Sequence, residues 1–165
     1  MPIEGVEAYL RAHDARGTTM DARDIDAGIA ATKASGEIGV IDAEFDAGNA
    51  SRFGVRICEG GSVFTAIGYD HEKKQLFIDR RYSGRVDFHP DFSGNHAASM
   101  SPGPDGLIKL TIALDRDSVE VFGNGGVVAM TSLIFPPPDA GGVSLFSEGG
   151  TCKLIRFDSF LLDGH

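Results

Sequence analysis

The chain has 165 residues, 42% of them hydrophobic and 24% charged, a balance that fits one globular core and excludes a low-complexity or fibrous chain. Its formal net charge of -9 argues against a nucleic-acid backbone or an anionic membrane as partner, because both reward clustered Lys and Arg. The two cysteines, Cys58 and Cys152, are too few for a disulfide framework or a zinc site and read as small buried hydrophobes, with a bridge between them left open.

Residues 1–35 differ in character from the rest. Val6, Tyr9 and Leu10 have helical spacing, and the polar run over 18–26 has little to bury, so this segment reads as a junction. From Ile38 onward, short alternating apolar runs are separated by Gly, Pro, Asn and Asp clusters, the pattern of consecutive antiparallel strands. Nine strands are predicted, over 38–46, 52–59, 63–70, 75–80, 109–115, 118–122, 127–135, 142–147 and 153–162. In the clearest of them Ile108, Leu110, Ile112 and Leu114 alternate with Lys109, Thr111, Ala113 and Asp115, so one face points inward. A polar turn at Asp115-Arg116-Asp117 comes next, Val119 and Val121 resume the inward face, and Gly123-Asn124-Gly125-Gly126 offers the positive-φ residues of a second hairpin. These three strands should form a meander.

The segment over 84–106, with Pro90, Pro102 and Pro104, reads as a surface excursion pinned by Phe88 and Phe92. The breaker Phe135-Pro136-Pro137-Pro138-Asp139 reads as a crossing between sheets. With no helical pattern between strands, the fold class is all-β, a two-sheet antiparallel β-sandwich of jelly-roll or concanavalin-like type, over 36–163.

Few chemical motifs are present. No run reaches the roughly 18 apolar residues of a membrane-spanning helix and no basic-then-apolar leader opens the sequence, so a soluble chain is expected. Neither Gly61-Ser62-Val63 nor Val143-Ser144-Leu145 completes a nucleophile elbow, and Gly123 to Gly126 lack the Gly-Lys-Ser/Thr of a phosphate loop. His89 and His96, flanked by Asp87 and Asp91, match no metal-ligand spacing, so neither a metal nor a cofactor is expected. Glycosidase chemistry needs a pair of carboxylates with different environments. Asp79 and Glu120 stand out because each lies in a strand on the side opposite its apolar neighbours; the plainer alternative is that they face solvent or pair with Arg81 and Arg116.

Several strand sequences, taken in order, carry a resemblance. Phe53-Gly54-Val55-Arg56, Ile67-Gly68-Tyr69-Asp70, Leu76-Phe77-Ile78-Asp79-Arg80 with Ser83-Gly84, the run from Leu114 to Phe122, and Val143 to Gly150 together resemble the C-terminal β-sandwich of glycoside hydrolase family 32, which includes invertases, levanases and inulinases. The resemblance spans 36–162. It implies that the reaction belongs to a separate N-terminal five-bladed propeller carrying Asn-Asp-Pro-Asn, Arg-Asp-Pro and Glu-Cys motifs. None of these occurs here: Arg23-Asp24 is followed by Ile25, and Cys58-Glu59 has the reverse order. Residues 1–35 then read as the junction leading out of that propeller.

The resemblance implies two roles for a sandwich without a catalyst. One is structural: packing against the propeller, hiding a sticky apolar face and stabilising the enzyme, with a homodimer left open. The other is binding, because related sandwiches of carbohydrate-binding module family 66 hold terminal fructose units of levan or inulin. Fructofuranose has little flat apolar area, so acids, arginines and an aromatic edge suit it. The cluster chosen on that basis is Glu59, Tyr69, Asp79, Arg80, Arg81, Arg116 and Glu120.

Overall fold

The computed structural model describes residues 16–80, 95–115, 117–134 and 140–162. The regular elements among these residues are all strands: β1 (Arg16–Met20), β2 (Arg23–Ile25), β3 (Gly28–Ser35), β4 (Ile38–Asp46), β5 (Arg52–Gly60), β6 (Val63–Asp70), β7 (Gln75–Asp79), β8 (Asn95–Ser99), β9 (Ile108–Asp115), β10 (Ser118–Gly123), β11 (Val128–Leu133), β12 (Gly142–Glu148) and β13 (Cys152–Leu162). Two antiparallel sheets result. The first runs β1-β13-β4-β9-β10-β11, with β2 also on β13, and the second runs β3-β12-β5-β6-β7-β8.

Alternation along each strand sends one set of side chains between the sheets. From the first sheet come Ile41, Ala43 and Phe45, Leu110 and Ile112, Val119 and Val121, and Leu154, Phe157 and Leu161; from the second come Phe53, Val55 and Ile57, Ile67 and Tyr69, Leu76 and Ile78, and Val143 and Leu145. Phe45 and Phe53 meet across the interface with centroids 5.3 Å apart. The sandwich and the β9-β10-β11 meander are as the alternation predicted.

Four strands were not foreseen. Residues 16–35 are not a bare junction: β1 and β2 lie on β13 in the first sheet, and β3 lies on β12 at the edge of the second. The sandwich therefore begins by residue 16 rather than 36. The cause is that edge strands are held largely by backbone hydrogen bonds, so β2 (Arg-Asp-Ile) needs only Ile25 in the core. Likewise 95–99, placed in the surface excursion by its polar context, is β8, paired with β7. Val6, Tyr9, Leu10, Phe88 and Phe92, and the breaker over 135–139, lie outside the described residues; the flanking strands β11 and β12 do belong to different sheets.

The second hairpin turn is held by one side chain. Asn124, Gly125 and Gly126 have φ of 50°, 74° and 97°. Asn124 Oδ1 accepts the Lys109 N–H at 2.9 Å, and its Nδ2 donates to the Ser101 carbonyl at 2.8 Å, so the turn fastens a loop as well as a strand.

Gly54 and Gly68 face each other across β5 and β6. A Cβ on Gly54 would overlap the Ile67 carbonyl oxygen, and one on Gly68 would overlap that of Phe53. Both obstacles are backbone, which cannot rotate aside. Gly68→Ala should accordingly lower stability by about 3 kcal/mol in urea unfolding, although Gly68 has no positive φ to lose.

Cys58 and Cys152 are free and buried. Burial first, and Glu37 second, push the Cys58 thiol up to about 12 from 9.0. The unfolded chain releases this proton near 9 while the folded chain keeps it. The thiol's contribution is thus intact below pH 9 and is lost as pH rises toward 12, at about 1.4 kcal/mol per pH unit for a single proton. Denaturant titrations between about pH 8 and 11 should show this fall, and Cys58→Ala should flatten it.

Candidate functional site

The residues that the core leaves over on the second sheet form three rows across its outer face. The middle row is Phe146, Gly54, Gly68 and Phe77, on β12, β5, β6 and β7. Because the two glycines leave a trough, the flanking rings lean together until their centroids are 6.3 Å apart. With Ala66 and the partly buried Phe64 they make a small second apolar cluster. On one side of it lie Glu148, Arg52 and Asp70, and on the other Ser144, Arg56, Ala66 and Asp79.

The two arginines each sit over a ring of this floor. The Arg52 guanidinium stands 4.2 Å from the Phe77 centroid and that of Arg56 3.5 Å from the Phe64 centroid. Carboxylates hold them laterally: Arg52 pairs with Glu148 at 3.4 Å and Asp70 at 4.0 Å, and Arg56 with Glu59 at 3.0 Å. The Arg56–Glu59 pair is electrostatic in nature, because Arg56 Nε makes no aligned hydrogen bond; Glu59 Oε2 instead accepts one from Ser144 Oγ at 3.2 Å. Above this floor opens a pocket of about 300 Å³ walled by Arg52, Arg56, Phe64, Phe146, Asp79 and Glu148, with the exposed Ile29 at its rim. Around it two guanidinium groups stand against four carboxylates, so an anionic ligand is disfavoured. A neutral polyol, able to give and take hydrogen bonds beside an aromatic edge, is matched.

A larger groove of about 390 Å³ crosses the outer face of the first sheet beside Val40, Arg156 and Phe160. Its polar groups are already occupied: Asp42 accepts from Thr111 Oγ1 at 2.7 Å, and Arg156 pairs with Glu44 and Asp158 at 3.6 and 3.5 Å. The smaller pocket, whose two arginines stand over aromatic rings, is the better candidate.

The cluster chosen from the sequence divides among several places. Glu59 and Asp79 reach the pocket face, Asp79 only 5% exposed on β7 opposite Ala66. Tyr69 does not: it is 0% exposed, its hydroxyl donates to the Met100 carbonyl at 2.6 Å, and burial, then Asp70, raise its pKa. It shares the parity of Ile67, which fixes it inside. Arg80, 5% exposed, points to the edge of the sandwich, where Nη1 donates to the Leu133 carbonyl at 3.0 Å and Nη2 lies 2.9 Å from His96 Nε2; burial lowers its pKa. Glu120 sits half-buried on the other sheet, between Ala113 and Thr131. Arg81, Arg116 and His89 lie outside the described residues, among which no group of three or more His, Cys, Asp or Glu side chains could hold a metal. Sequence reasoning missed Arg52, Arg56, Phe64, Phe146 and Glu148. Their signal was the shared parity of Arg52, Gly54 and Arg56, opposite to that of Phe53 and Val55.

The chain as a whole is similar to known proteins. The family model described as glycosyl hydrolases family 32 C terminal matches residues 9–160. A levanase from Bacillus sp. (strain L7) is 43% identical over 118 residues, 70% of this chain and 13% of that protein. The extracellular exo-inulinase of Aspergillus awamori is 38% identical over 132 residues, 78% of this chain and 25% of that protein. The crystal structure of exo-inulinase from the same fungus superposes with a TM-score of 0.81 at 35% identity, covering 89% of this chain and 29% of that one. Fructan 1-exohydrolase IIa from Cichorium intybus, at 13% identity and a TM-score of 0.79, shares the fold, with 98% of this chain and 37% of that one covered. The chain thus spans a quarter or less of these two curated relatives' length.

The two kinds of charged residue should respond differently to truncation. Arg80→Gln breaks a buried bridge between the sheets and should cost about 2 kcal/mol in urea unfolding. Glu148→Ala, at a 53% exposed rim, should cost less than about 1 kcal/mol.

Proposed function

The chain belongs to the glycosyl hydrolases family 32 C terminal family, and from that membership we propose that it serves as the accessory β-sandwich of a β-fructoside-cleaving hydrolase, seated against a separate catalytic propeller that it stabilises. The family match over residues 9–160 carries this reading. It is supported by relatives whose names state levanase and exo-inulinase activity and whose length is mostly outside the matched part.

The surface of the described residues carries no broad apolar face that would need a propeller to cover it. Among the described residues only Ile29, Val127 and Leu133 are large exposed hydrophobics, Val127 next to β11, Leu133 at its end and Ile29 on the other sheet. An inter-domain contact of this kind stabilises by mass action and shape rather than by a broad apolar patch. The module should therefore fold alone.

One observation favours a second role on the same protein: the pocket of the second sheet, whose stacked arginines and flanking carboxylates suit a furanose unit of levan or inulin. Its size is at the small end for ligand sites, enough for a chain terminus.

Two measurements separate these readings. The purified chain should release no fructose from levan or inulin, and adding it to a separately expressed propeller of the same protein should lengthen that propeller's activity half-life on heating. Unchanged half-life would count against the accessory role. In native gels containing levan or inulin, retardation of the chain that Arg56→Ala and Asp79→Asn abolish and Glu120→Ala leaves intact is expected of the binding role; no retardation removes it.

A further inference from the structure

β11 closes the first sheet with an edge that carries no charged residue. β2 contains Arg23 and Asp24 and β3 Lys33, residue types that discourage another strand from pairing. β11 has none. In a chain that is 24% charged, no Asp, Glu, Lys or Arg occurs between Glu120 and Asp139.

The open groups of this edge can be assigned. Ile134 N–H donates to the Asp117 carbonyl at 2.9 Å, and in the antiparallel register Ser118 faces Leu133, so Val128, Met130, Ser132 and Ile134 turn their backbone groups toward β10. Ala129, Thr131 and Leu133 consequently turn theirs away, as the Arg80 bond to the Leu133 carbonyl shows. All three are exposed. Leu133 at 55% and the neighbouring Val127 at 79% are two of the three large exposed hydrophobics among the described residues.

We propose that β11 is a dimerisation edge, pairing antiparallel with β11 of a second copy about a two-fold axis through Thr131. The strand is self-complementary there. Thr131 meets Thr131 of the second copy, and their N–H and C=O groups exchange reciprocal bonds. Ala129 then meets Leu133 of the second copy, and Leu133 meets Ala129, a small side chain beside a large one on each side of the axis. A second carbonyl lone pair leaves the Arg80 bond in place. The occupant is a second copy rather than a basic partner because β11 itself has no carboxylate, Glu120 opposite Thr131 being half-buried on β10, and a neutral strand is where two chains of net charge -9 can approach. The inference is independent of the sugar pocket and of the propeller.

Sedimentation equilibrium of the full chain, from low to high micromolar concentration, tests it. A monomer–dimer equilibrium is expected, tightening as salt screens the mutual repulsion. Thr131→Lys sets like charges together on the axis and should raise the dissociation constant about tenfold or more. Thr131→Pro removes an N–H that the fold does not use and should do likewise, with thermal midpoints near wild type in both variants. Exchange of the Ala129, Thr131 and Leu133 amides should slow as concentration rises, with that of β8 unchanged. A wild type that stays monomeric in both low and physiological salt, a dimer that both variants leave intact, association beyond the dimer, or concentration-independent exchange at these amides would overturn the proposal.

Discussion

The period of two along each strand governs what this domain can be. Once Phe53, Val55 and Ile57 are committed to the core, Arg52, Gly54 and Arg56 must face outward; the neighbouring strands obey the same rule with Gly68 opposite Ile67 and Phe77 opposite Leu76 and Ile78. The outer face of the second sheet is therefore written by the residues that the core does not take. Its shape then depends on size: two glycines lower the floor, two phenylalanines fill the trough from either end, and the arginines have flat rings on which to rest.

Electrostatics decides what such a floor is suited to. A guanidinium stacked on a ring and held sideways by a carboxylate keeps its orientation, so its remaining N–H groups are aimed before any ligand arrives. The surplus of carboxylates nearby keeps anions away while adding acceptors. Neutral hydroxyl-rich molecules are left as the chemical class that gains most. In the larger groove of the first sheet, Asp42 and Arg156 are held in turn by Thr111, Glu44 and Asp158.

Much of the fold was legible in the sequence because buried strands advertise themselves. The predicted runs over 38–46 and 63–70 coincide with β4 and β6, and the remaining seven differ from their strands by a residue or two at the ends. What was not legible is held by backbone. β1, β2, β3 and β8 are edge strands, and a strand with one neighbour can stay polar or small, as the Arg-Gly-Thr-Thr-Met of β1 does. The site was legible only in part for a different reason. Motif resemblance selected charged and aromatic residues without regard to parity, so Tyr69 was grouped with Asp79 although Tyr69 points into the core beside Ile67. Parity within 52–56 and 144–148 would have found Arg52, Arg56, Phe146 and Glu148. Distance between sheets, which separates Glu120 from Asp79, has no signature in a single sequence.

The facing pair Gly54 and Gly68 also limits how this domain can diverge. Most close contacts in a core permit compensation, a larger residue on one strand being offset by a smaller one opposite. Here neither position has an atom to surrender, and each obstructs through main chain that belongs to the other strand. A variant that gains a side chain at one glycine has no second-site remedy at its partner, so each position holds the other to glycine through main chain alone.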